Sequence, residues 1–254
     1  MEMFFLAAAA DCGEEVRFPA HESRHIVRAC RHRSGDRLFA TDGAGCELEL
    51  ELADANPQAV RARVLGRRVR PREPRVLLTL ALGVIKPDRF SGVVEAATQL
   101  GASSVVPVLT ARVVARLRPE RLERMRRVAV EAMKSSTRTV VPDVTAPAGF
   151  DELLGMVGRH EQALVAYEGE SGPGMADIVE PGAGSVLVIV GPEGGFEFGE
   201  VERLRAAGAR SFSMGPRRLR SEVAAVAAVA GVMQLMSEMQ GQRTADKPME
   251  RRCY

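Results

Sequence analysis

The 254 residues include 46% hydrophobic side chains, enough for a substantial core and too many for a globally disordered chain. A formal charge of +2 hides an uneven layout, with three lysines against 32 arginines that cluster at 24–37, 61–72 and 112–127. The four cysteines, Cys12, Cys30, Cys46 and Cys253, form no C-x-x-C pair, which speaks against a zinc site or disulfide scaffold and fits a reducing cytoplasm.

Arginine bonds phosphate through two nitrogens and stacks on bases, so these clusters allow an RNA surface. They are equally what a GC-rich genome writes in place of lysine. No membrane association is expected, because the longest apolar run, Ala224–Met233, is far below the ~20 residues of a span.

In chain order, the first 72 residues read as β-rich. Met3–Leu6 is predicted as a first strand; Glu2 stands where a signal peptide would carry a basic residue. "RLFATDGAGCELELEL" gives a strand, a turn at 42–45, and the alternation Glu47-Leu48-Glu49-Leu50-Glu51-Leu52, which predicts a half-buried strand with one wet face. "RARVLGRRV" is a further strand. His21, His25 and His32 lie here without partners at ligand spacing and are read as surface or core histidines; no metal site is expected.

"RPREP" at 70–74 breaks both helix and strand and marks the domain boundary. Beyond it, "RVLLTLAL" reads as a strand covered on both faces. "PDRFSGVVEAATQLG" reads as a helix capped at Gly101, and "SSVVPVLT" as a strand. "RPERLERMRRVAVEAMKSS" is an amphipathic helix with Leu122, Met125, Val128, Ala129 and Ala132 on one face. Strands "ALVAYEG" and "SVLVIV", a helix around Phe198–Gly208, strand "SFSM" and a last helix from about Glu222 to Met239 follow. Alternating strands and helices predict a mostly parallel α/β sheet. Residues 1–72, 73–240 and 241–254 are thus read as a small β domain, an α/β domain and a polar tail.

Ligands of open α/β sheets bind beyond the carboxyl ends of the strands. Three such ends carry suitable chemistry: Tyr167-Glu168-Gly169, Gly191-Pro192-Glu193-Gly194-Gly195-Phe196, and Met214-Gly215-Pro216-Arg217-Arg218-Leu219-Arg220-Ser221-Glu222. None is a P-loop or a G-x-G-x-x-G fingerprint. Glycines let main-chain N–H and C=O groups approach a ligand closely. A carboxylate at Glu193 suits a neutral or cationic ligand better than phosphate; capping of the following helix is the alternative.

The stretch "VIVGPEGGFEFGEVERLRAAGARSFSMGPRRLRSEVAAVAAVA" resembles the signature of the SPOUT methyltransferases, most closely the ribosomal RNA small subunit methyltransferase E family. The similarity extends upstream through "VVEAATQLGASSVVPVLTARVV", "EAMKSSTRTVVP" and "SRHIVRACRHRSGDRLFATDGAG", in order along nearly the whole chain. Departures from the family pattern fall at Ala96, Gln99, Ser135, Thr137 (a family glycine), Arg218 and Val223.

The resemblance implies a PUA-like β-barrel followed by an α/β domain with a carboxyl-terminal trefoil knot, S-adenosyl-L-methionine as cofactor, and a cytoplasmic homodimer. It implies methylation of N3 of a uridine in 16S rRNA, on naked RNA or on the small ribosomal subunit. Carried over residue by residue, the cofactor positions are Tyr167, Val190, Gly191, Pro192, Glu193, Gly194, Gly195, Met214, Gly215, Leu219, Arg220 and Ala224. Arg220 and Arg217 are expected to stabilise charge on the uracil oxygens, and Glu222 or Glu193 to accept the N3 proton. Glu222 is equally placed to be a first-turn helix carboxylate behind Ser221. Arg31, Arg112 and Arg138 are expected to contact RNA. A different nucleotide target, or RNA binding without turnover, are the competing readings.

Overall fold

The computed structural model of the chain describes residues 3–7, 13–114 and 117–240. The polar tail, Cys12 and Cys253 lie outside the described residues. The chain forms two units that divide between Glu73 and Pro74, and Met133–Val141 belongs with the first unit.

The first unit is built on a five-stranded sheet of β1 (Met3–Phe5), β2 (Glu15–Arg17), β3 (Arg37–Thr41), β4 (Cys46–Asp54) and β5 (Arg61–Val69), in the order β1-β3-β4-β5-β2. Only β1 and β3 run parallel; the other pairs are antiparallel. A short helix α1 (Ala20–Arg24) runs into a wider π-type turn at His25–Ala29. Phe4, Phe18, Ile26, Leu38, Leu48, Leu50 and Leu52 fill the core. The leucine alternation of β4 therefore faces inward as expected, but its opposite face is not uniformly wet. Glu47 is buried and paired with Arg72 and, at 3.8 Å, Arg68. β2 and α1 escape a periodicity reading because each spans less than two repeats.

Met133–Val141 is fastened to this unit by Glu73. Its carboxylate accepts bonds from Arg138 Nη2 (2.7 Å) and Nε (3.1 Å) and from the backbone N–H of Thr139 (2.7 Å) and Val140 (3.0 Å). Burial alone would push this carboxyl up; the Arg138 guanidinium and the two amides more than offset that and hold it below its ordinary value.

The second unit holds β6 (Leu77–Gly83), α2 (Pro87–Gln99), β7 (Ser104–Leu109), most of α3 (Pro119–Ser135), β8 (Asp143–Val144), β9 (Ala148–Gly149) and α4 (Phe150–Val157). It continues with β10 (Gln162–Ala166), α5 (Met175–Ile178), β11 (Ser185–Val190), α6 (Phe198–Ala206), β12 (Arg210–Phe212) and α7 (Ser221–Leu235). Every pairing in its sheet is parallel, in the order β12-β10-β11-β6-β7-β8, with β9 also beside β7. The apolar runs of β6 and β11 are buried almost throughout, as strands covered on both faces must be. Ala225, Ala228, Val229, Val232 and Met233 form the buried side of α7, which packs on α2, β6 and β11. Because all strands of this sheet run parallel, the carboxyl ends of β6, β10, β11 and β12 meet at one edge, where the ligand chemistry of the sequence is concentrated.

Candidate functional site

A cleft of about 680 Å³ opens beyond the carboxyl ends of β10, β11 and β12. Ten residues expected at the cofactor line it: Tyr167, Val190, Gly191, Pro192, Glu193, Gly195, Met214, Gly215, Leu219 and Ala224. Arg217 lines it as well. The walls also include Glu168, Phe196, Arg218 and Ser221, which belong to the quoted strand ends without an assigned role, and Glu170 and Ser213, which lie outside them.

Three loops make these walls, and each is held by identifiable contacts. In the loop after β11, the Gly195 N–H closes a turn onto the Pro192 carbonyl (2.8 Å), with Gly195 at φ +69°, a conformation that favours glycine. The loop after β12 turns at Gly215, φ +87°. The loop after β10 is tied to β12 through the Tyr167 N–H on Phe212 O (3.2 Å) and the Ser213 N–H on Pro173 O (2.9 Å). Glu170 reinforces that tie. Its carboxylate accepts bonds from the Ser211 hydroxyl, the Gly172 amide (2.9 Å) and Arg205 Nη2 (2.7 Å). The serine hydroxyl first, then the amide and the guanidinium, hold this carboxyl below the ordinary range.

Gly83 sets the position of the glycine loop. A Cβ there would lie 2.4 Å from the Pro192 nitrogen, so β6 must end on a residue without a side chain. A strand-end glycine carries no mark of this in the sequence, because the neighbour that crowds it is more than a hundred residues away.

Sequence reasoning also passes over Arg89. From the first turn of α2, its Nη1 lies 3.5 Å from Glu222 Oε1 and 4.0 Å from Glu193 Oε1. Glu193 Oε1 also accepts the Lys86 N–H (3.4 Å). Both candidate proton acceptors therefore converge on one guanidinium. The second oxygen of Glu222, Oε2, is buried and has no hydrogen-bond partner. Glu222 itself does not line the cleft; it sits in the first turn of α7, where the helix dipole also favours a carboxylate.

Gly194 and Arg220 do not line the cleft either. Gly194 faces Arg112, whose Nη1 donates to the Gly194 carbonyl (3.2 Å) and whose Nε lies 3.8 Å from Glu197. Arg112 is half exposed, so it braces the outer side of the glycine loop while remaining open to solvent. Arg220 is the exposed residue that caps α7. Arg218 pairs with Glu168 at 3.7 Å. Arg31 is exposed in the first unit, at φ +60°.

Arg138 corrects an expectation. Its match to a family arginine assigns it to RNA, but its side chain is only 5% exposed and its guanidinium is consumed by Glu73. It fastens a segment of the first unit and presents no surface to a phosphate. Among the described residues no group of His, Cys, Asp or Glu is arranged to hold a metal, and no helix is long and apolar enough to cross a membrane.

A family model described as an RNA methyltransferase domain matches residues 72–233. The chain is 30% identical over 245 residues to ribosomal RNA small subunit methyltransferase E of Bacillus subtilis, covering 91% of this chain and 96% of that one. It is 32% identical over 244 residues to the protein of that name from Mycobacterium tuberculosis, covering 92% of each. A crystal structure of a ribosomal RNA small subunit methyltransferase E from Neisseria gonorrhoeae, bound to S-adenosyl methionine, is similar at a TM-score of 0.83 and 26% identity over 92% of this chain and 98% of that one. With the glycine loops, the all-parallel sheet and these likenesses in agreement, the chain belongs to the ribosomal RNA small subunit methyltransferase E family.

Proposed function

We propose that this protein transfers a methyl group from S-adenosylmethionine to N3 of a uridine in the 16S RNA of the small ribosomal subunit, in the cytoplasm. The observation that carries this reading is the cleft. Its volume falls within the ~300–1,000 Å³ of small-molecule sites. Its glycine loops, at Gly191, Gly195 and Gly215, offer main-chain groups able to read a base edge, while Val190, Met214, Leu219 and Ala224 supply apolar walls. Glu193, Glu168 and Glu170 set three carboxylates against Arg217 and Arg218 on those walls, a balance that suits a cationic donor better than a phosphate. When bound, S-adenosylmethionine supplies an electrophilic methyl group on a sulfonium.

This chain's residues do the rest. Uracil N3 is a poor nucleophile until its proton leaves, and Glu193, on the cleft wall, or Glu222, joined to it through Arg89, is the acceptor we assign. Arg89, 3.5 Å from Glu222 and 4.0 Å from Glu193, fixes the orientation of these carboxylates. Arg217, on the cleft wall, and Arg220, at the α7 cap, stabilise negative charge on the uracil oxygens.

The finer architecture is part of the same reading. Insertion of β11 between β6 and β10 supports a knotted carboxyl-terminal half, and the mostly antiparallel first sheet supports a PUA-like barrel that presents Arg31 to RNA. Val223 and Ala227 leave an apolar strip of α7 exposed, which supports a homodimer.

The test is mass mapping of 16S RNA from a strain lacking the protein, before and after treatment with the protein and donor. Conversion of one uridine to its N3-methyl form is expected. Glu222→Gln and Arg220→Ala are each expected to slow transfer by about 10²-fold or more with donor affinity unchanged. Donor binding without transfer to any RNA would leave an RNA-binding protein in place of an enzyme.

A further inference from the structure

The start of α2 carries a second feature beside Arg89. Asp88 is 84% exposed, yet its Oδ1 lies 3.7 Å from Arg121 Nη1 and 3.8 Å from Arg124 Nη1, both on α3. The two arginines are themselves about half exposed. Lys86, just ahead of α2, is exposed too. Arg89, the next residue after Asp88, is balanced by Glu193 and Glu222, so it does not offset Asp88. On α3, Glu123 is taken by Arg126, whereas Glu120, four positions before Arg124, is exposed on the same face of the helix as that arginine. Lys86, Arg121 and Arg124 thus stand against two carboxylates, Asp88 and Glu120, and the patch keeps a positive excess. It adjoins the cleft through consecutive residues, since Arg89 reaches a carboxylate of the cleft wall.

We infer that Arg121 and Arg124 are a docking site for the phosphodiester backbone of the RNA strand that enters the cleft, and that Asp88 holds the two guanidiniums in place until a phosphate displaces it. This rests on RNA being the substrate. Exposed pairs at these distances contribute little to stability, so Asp88 is readily displaced. Two guanidiniums aimed at one oxygen suit a phosphate, which accepts charge-assisted bonds on two free oxygens. Asp88 then acts as a mild competitor that disfavours weakly bound anions, and the patch selects a polyanion that engages further sites.

The test measures binding of a 16S RNA fragment between about 50 and 200 mM salt, with donor affinity read separately by calorimetry. Arg121→Ser with Arg124→Ser is expected to weaken RNA binding about tenfold at the lower salt. It is also expected to reduce the slope of log affinity against log salt by about 0.7 for each phosphate that is no longer neutralised, with donor affinity unchanged. D88N is expected to tighten RNA binding two- to fivefold, a gain that a merely structural aspartate would not give. Unchanged affinity and salt slope in the arginine variant, or weaker RNA binding in a folded D88N protein, would overturn the inference. Absence of RNA binding by the unaltered protein would overturn the RNA reading itself, and this inference with it.

Discussion

Gly83 shows how much of the site depends on residues that make no contact through a side chain. Its neighbour at 2.4 Å is backbone, which cannot swing aside as the end of a long side chain would. Gly83→Ala is therefore expected to displace the loop at Pro192 and to weaken donor binding by at least about tenfold, roughly 1.4 kcal/mol. Titration calorimetry checks this, and unchanged affinity would show that the loop is not fixed from β6. Legibility at this scale is uneven. The glycine loops stand out because glycines cluster between an apolar run and a helical pattern. Gly83 and Arg89 do not, because their partners are distant in sequence. Arg138 misleads for the same reason: an exposed and a buried arginine look alike until the partner, Glu73, is seen 65 positions away.

At the scale of elements, α3 ends in a way that the sequence obscures. The Arg138 N–H bonds Met133 O (3.0 Å) and the Thr137 N–H bonds Lys134 O (3.1 Å), the pattern of a Schellman cap. Its left-handed residue is Thr137, φ +57°, where the family carries glycine. α2 and α6 end with the same bonds but use Gly101 and Gly208. A left-handed backbone costs a β-branched residue about 1–2 kcal/mol, part of which glycine would return through a more flexible unfolded chain. Thr137→Gly is expected to raise unfolding stability by up to about 1 kcal/mol in urea. A lower midpoint would mean that the threonine makes a compensating contact.

The same segment gives a pH dependence. The Glu73 carboxyl is held below its ordinary value of 4.5, so its contribution is complete above that value and is lost as pH falls through the lowered one. Stability is expected to decline as pH drops below about 4.5, and Glu73→Gln to flatten that decline while costing about 3 kcal/mol at neutral pH. An unaltered acid profile would place the titrating groups elsewhere. The two-residue strands β8 and β9 and the four-residue α5 go unread because no period fits in so few residues. The eight-residue α4 is long enough to show one and is simply passed over.

For the whole molecule, the parallel α/β character is legible in the alternation of apolar strands with amphipathic helices. The strand order is not. Nothing local in "SVLVIV" says that it inserts between β6 and β10; that follows from pairings over a hundred residues apart. The division of the chain is half legible. "RPREP" marks its place, but the return of Met133–Val141 to the first unit rests on partners distant in sequence: Glu73, Glu22 and the turn at 41–45. The alanine- and valine-rich α7 speaks for burial, and its exposed strip, with Val223 at 49%, is the face expected to meet a second copy. Sedimentation is expected to give twice the chain mass, and a fully active monomer would remove the dimer.

The cleft at the ends of β10, β11 and β12 is expected to hold the methyl donor. Titration calorimetry of S-adenosylmethionine into the purified, folded protein tests it most directly. One saturable site per chain is the result expected, and heats no larger than dilution would contradict the claim.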